Sequence, residues 1–88
     1  MKEAPAVEVR CRPDQWGNRT MQRLAEQAFR DFPEAELVRV IEHAGWFLVF
    51  RRDGSVVHSA NDCAVYPPEL EEYRRTRRMK LIASVEYN

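Results

Sequence analysis

Few residues in this chain have the types and spacing that chemistry demands. His58 and Cys63 stand five positions apart, and a thiol becomes a nucleophile only where a nearby base or cation lowers its pKa. His58 is the candidate base. No third residue reads as the group that would orient it, so the pair does not make a catalytic constellation, and Cys63 reads instead as a loop or semi-buried thiol. His43 and His58 stand at no metal-like spacing, the chain has no Cys-x-x-Cys, His-x-x-x-His or His-Glu-x-x-His pattern, and no metal site is expected. Gly17, Gly45 and Gly54 are the only glycines, too scattered for a phosphate-cradling loop. Glu69, Glu71 and Glu72 share one solvated segment, whereas paired acids that work on a substrate converge across elements in a cleft. The residues therefore predict neither an enzyme nor a cofactor.

Residues suited to contact are better represented. Trp16 in a turn, Trp46 at a strand start and Tyr66 before two prolines are of the types enriched at interface hot spots, as are Arg51, Arg52, Arg74, Arg75, Arg77 and Arg78. Some of these aromatics are needed for the core of so small a domain. The basic run over 74–80 has two readings. It is a phosphate-contacting patch, or it is a helix C-terminus whose acidic-then-basic order, with Glu71 and Arg75 at i,i+4, already satisfies the helix dipole. Fourteen basic and fourteen acidic side chains give zero net charge. That balance argues against holding nucleic acid by bulk electrostatics and leaves only a local patch.

These residues must be positioned by a small set of elements. Val7, Val9 and Cys11 alternate with Glu8, Arg10 and Arg12, predicting a first strand with one buried face. Residues 13–18 form a turn in which Asn18 caps the following helix. Met21, Leu24, Ala25, Ala28, Phe29 and Phe32 make one apolar stripe, with Arg19, Gln22, Arg23, Glu26, Gln27 and Arg30 opposite. That periodicity predicts a helix over about 19–32, stopped by Pro33.

Strands follow at 37–41 and 46–52. In the second of these, five large apolar residues run without alternation, so both faces should be covered or put to use. Asp53-Gly54 is a strong hairpin signal leading to a short strand over 55–59. A short surface helix is expected over about 68–78, its apolar stripe little more than Leu70 and Tyr73. Met79, Leu81, Ala83, Val85 and Tyr87 then alternate with Lys80, Ser84 and Glu86, which predicts a final strand with one apolar face and Ile82 as its exception.

The expectation is a single α+β domain over residues 1–88. A mainly antiparallel sheet of four to five strands carries one strong and one short helix, and a ferredoxin-like βαββαβ order is favoured over a sheet wrapped around the first helix alone. No apolar run reaches the roughly 18–20 residues that span a bilayer, and the N-terminal residues lack a signal-peptide core. A cytoplasmic setting follows, with Cys11 and Cys63 reduced and unbridged. The function expected is a small non-catalytic module acting by protein–protein contact, as an adaptor, a subunit or a small inhibitor such as a phage or mobile element directs at a host complex. The alternative is a nucleic-acid binder that uses the aromatic strand 46–50 with Arg51, Arg52 and the 74–80 run. If helices cover one sheet face only, the other must meet a partner or a second copy, making a homodimer.

Overall fold

The computed structural model describes residues 3–61 and 79–88, with the backbone alone at 58–61. Its elements run β1 (Ala4–Arg10), α1 (Asn18–Asp31), β2 (Leu37–Ile41), β3 (Trp46–Arg51), β4 (Val56–Asn61) and β5 (Met79–Val85). The expected short helix over 68–78 lies outside the described residues.

The apolar stripe makes α1 and decides which side it buries: Met21, Leu24, Ala25, Ala28 and Phe29 face the core. The helix does not start on an Asn18 cap. Gly17 holds that position at a φ of 99° with no side-chain cap bond, a backbone conformation that glycine adopts without a Cβ clash. At the other end the Phe32 N–H donates to Ala28 O at 2.8 Å, and Pro33 excludes another turn.

The five strands form one mixed sheet in the order β4-β3-β2-β1-β5. A helical crossover returns the chain in the direction it left, so β2 lies parallel to β1. Tight turns reverse it, so β2–β3 and β3–β4 are antiparallel. In the β3–β4 turn Asp53 Oδ1 accepts from the Ser55 N–H at 2.8 Å and from its hydroxyl at 2.6 Å, while Gly54 takes a φ of 90°. The α+β class holds, but two expected details do not. The sheet is not mainly antiparallel, because β1 has parallel neighbours on both sides. Nor is the order ferredoxin-like. That arrangement splits the strands joined by the first helix, whereas here Val7 pairs directly with Val38.

Both faces of the three central strands carry buried side chains. On the helix side Val7, Val9, Val38, Val40, Leu48 and Phe50 meet the α1 stripe and Cys11, and Trp46 packs at the margin. On the second face Ala6, Leu37, Phe47 and Val49 form another cluster, flanked by Ile41, Val57 and Met79. Residues 47–50 of the non-alternating strand are thus covered on both sides, as its composition requires. β1 corrects the alternation read there, since Glu8, expected to face solvent, is 5% exposed.

β5 corrects it again. Ala6 pairs with Leu81 but Val7 pairs with Ala83, so Ile82 is an inserted residue, a β-bulge. One extra residue exchanges the faces of everything beyond it. Met79 consequently joins the second-face cluster, while Ala83 and Val85 join the helix-side core. The continuous apolar face expected over 79–87 is two half-faces. Among the described residues, no helix is long and apolar enough to cross a membrane.

Candidate functional site

The outer side of α1 and the loop that leads into it carry the exposed residues Trp16, Asn18, Arg19, Gln22, Arg23 and Glu26. That loop is held from both sides. The Arg12 N–H donates to Gln15 Oε1 and the Gln15 N–H to Arg12 O, both at 2.9 Å, and Gln15 Nε2 donates to Tyr87 O at 2.8 Å. Trp16, next to this pinned glutamine, is nevertheless 71% exposed. The loop thus presents an indole on a fixed base.

Residues 86–88 lie beside the same helix. Tyr87 Oη donates to Asp31 Oδ2 at 2.7 Å, and the Arg12 guanidinium reaches Asn88 Oδ1 and, at 3.8 Å, Glu86. Burial and then the Asp31 carboxylate push the Tyr87 phenol up to about 12. The bond from Tyr87, seconded by Gln27, holds Asp31 below its ordinary range. Between the C-terminal residues and α1 runs a groove of about 670 Å³ whose lining includes Gln15, Thr20, Arg23, Gln27, Arg30 and Tyr87. Polar donors and acceptors dominate that lining.

A second charged group sits on the sheet itself. Glu8 and Arg39 are directly opposite in the β1–β2 ladder. The Arg39 guanidinium bonds Glu8 Oε2, and Arg10 Nε donates to Glu8 Oε1 at 2.9 Å. Arg39 also stands 5.5 Å from the Phe47 ring centroid. Burial pushes the Glu8 carboxyl up, but Arg39 and Arg10 more than offset it, so Glu8 ends below its ordinary value. The Glu8–Arg39 pair joins β1 to β2, while Arg10 reaches Glu8 along the same strand and Arg39 Nε is buried without a hydrogen-bond partner. Cys11 is equally structural: burial, aided by the Glu42 charge, raises its free thiol to about 11 and keeps it protonated at neutral pH.

The structure separates the residues singled out from sequence. Trp16 is on the open surface, at the α1 N-terminal end. Trp46 is half-buried against the helix-side core, and Phe47 and Phe50, at 3% and 2% exposed, belong to the two buried clusters. Arg51 and Arg52 lie at the far end of β3 from Trp46. Arg51 Nη1 approaches Ser55 Oγ at 3.5 Å.

Arg52 folds back over the α1 C-terminus, donating to the carbonyls of Phe29 at 3.3 Å, Pro33 at 2.8 Å and Ala35 at 2.6 Å. Its guanidinium also stacks 4.9 Å from the Phe29 ring centroid. A cation on the last carbonyls opposes the negative helix end, so Arg52 pins the hairpin to the helix. His58 stands across from Val49 in the ladder. Cys63, Tyr66, Arg74, Arg75, Arg77 and Arg78 lie outside the described residues. Among the described residues no group of His, Cys, Asp and Glu could hold a metal ion.

Sequence reasoning passed over the C-terminal residues and Gln15, whose part in the surface is made by contacts more than 70 positions apart. No local signal announces them. Comparison with protein families, with curated proteins and with solved structures finds no match for this chain.

Proposed function

We propose that this chain is a non-catalytic, cytoplasmic module that works by protein–protein contact through the Trp16 end of α1. The observation that carries the reading is the 71% exposure of Trp16 on a loop pinned by Gln15. Exposing a large apolar ring to water is unfavourable, and a rigid indole beside a polar groove is the kind of anchor on which interface energy concentrates. At the far end of the groove Tyr87 is engaged with Asp31 in a bond between side chains, which fits a scaffold better than a reaction centre.

The test is quantitative affinity capture with the wild-type chain and Trp16→Ala at equal loading, together with the solution mass of each. Proteins captured by the wild type and lost with Trp16→Ala support the reading, and a doubled mass lost in that variant names a second copy as the partner. Capture indifferent to Trp16, with no change in mass, overturns it.

A further inference from the structure

Eight arginines lie among the described residues, and six of them are engaged. Arg10 and Arg39 hold Glu8, Arg12 holds Asn88, Arg30 bonds Gln27 Oε1, Arg51 reaches Ser55 and Arg52 caps α1. Arg19 and Arg23 alone make no side-chain hydrogen bond or ion pair among the described residues. They stand at i,i+4 on the exposed side of α1, so both guanidiniums occupy one helix face. Trp16 precedes that face by three residues, and Arg23 also lines the groove.

We propose that Trp16, Arg19 and Arg23 form the docking surface for an acidic segment of a partner protein. The inference rests on the protein-contact reading and adds the chemistry of the partner. Guanidiniums with all donors free are matched by carboxylates, which accept bidentate bonds, and the indole takes an apolar side chain between those acids. The same surface suits nucleic acid less well. Duplex DNA carries a charge about every 1.7 Å of its axis, and a backbone laid along this side of α1 would run onto Asp14 and Glu26, which share the groove with Arg23. A peptide can place its carboxylates at two points and spare the rest.

The test uses the whole chain and three fluorescent probes read by anisotropy at low salt. They are a short peptide of alternating Glu and Leu, the same peptide with Gln for Glu, and a single-stranded DNA oligonucleotide of matched charge. The Glu peptide is expected to bind about tenfold more tightly than the Gln peptide and the oligonucleotide. The double variant Arg19→Glu/Arg23→Glu should lose that tenfold preference, about 1.4 kcal/mol, and Trp16→Ala should weaken binding of the Glu peptide. Both variants alter exposed side chains, and an unchanged circular dichroism spectrum confirms that they fold.

Equal binding of the two peptides, or binding indifferent to Arg19 and Arg23, overturns the proposal. Tighter binding of the oligonucleotide, lost in the double variant, overturns it in favour of nucleic acid. Affinity capture with the same variants separates this inference from the reading beneath it. If capture depends on Trp16 but not on the two arginines, the acidic segment fails and the protein-contact reading stands. If the wild type shows no Trp16-dependent capture or dimer, the reading itself fails.

Discussion

On the helix side of the sheet, Val7, Val9, Val38, Val40, Leu48 and Phe50 meet the α1 stripe with no charged side chain among them. On the second face, Ala6, Leu37, Phe47 and Val49 share their space with a buried carboxylate and the guanidinium opposite it. The first face is held by volume: its side chains contribute by leaving water and filling space, and similar shapes could replace them at modest cost. The second is held by pairing. Glu8 is tolerable in its place only because Arg39 and Arg10 reach it. The pair also marks register, since a slip of β1 by one residue would carry Glu8 into the helix-side core.

The largest effect should come from the face held by volume. Phe50→Ala empties a site 2% exposed and is expected to cost about 4 kcal/mol in urea unfolding. A cost below that of Glu8→Ala would invert the contrast between the faces. Glu8→Ala is expected to cost about 3 kcal/mol, because it strands Arg39 rather than merely deleting a contact. Pairing it with Arg39→Met should recover much of that loss. A double variant no more stable than the single one would mean that Arg39 acts by more than neutralising Glu8.

The same carboxylate gives the second face an acid limit. Its folded pKa lies below the ordinary 4.5, so its contribution is present above that value and is lost as pH falls through the depressed one. Stability measured against pH should fall across this window in the wild type, and the fall should be shallower in Glu8→Gln. Identical slopes would remove the ion pair from the explanation.

Arg52→Ala tests the seam between hairpin and helix, and should cost about 2 kcal/mol through its charge-assisted bonds. Hydrogen exchange should quicken at the α1 C-terminal turn. Tyr87→Phe should be the smallest change, a slight drop in the unfolding midpoint, since its bond to Asp31 lies at the surface. Tyr87 also carries an alkaline limit of opposite sign. With a folded pKa of about 12 against an ordinary value of 10.0, its contribution is present below 10 and is lost as pH rises through 12. Thermal melts of wild type and Tyr87→Phe should therefore converge at high pH.

Much of the fold was legible in the residues, and the failures are specific. The α1 stripe and the Asp53-Gly54 hairpin carry their own local signals, and both stand where expected. The two-faced burial of 46–50 was legible for the same reason. The β5 alternation misled because an inserted residue looks, in sequence, like one misplaced apolar side chain. Glu8 misled because a charged residue between valines reads as solvent-facing, and nothing in β1 points to the arginine 31 positions later that pays for its burial. The candidate surface was half legible. Trp16 stands out by type, but Arg19 and Arg23 read like any solvated helix face, and only the engagement of the other described arginines sets them apart.

Among the described residues, the sequence by itself determined which segments become helix and strand, and that the aromatic strand needs cover on both sides. Those are consequences of period and side-chain type within a dozen residues. Tertiary structure alone decided the parallel pairing of β1 with β2 and β5, the burial of Glu8 and the engagement of Arg52. It also decided that Trp16, Arg19 and Arg23 stay open. Each of these depends on which distant residue arrives alongside. Strand order and the pairing of charges are settled by contacts across the chain, whose energies no local pattern encodes.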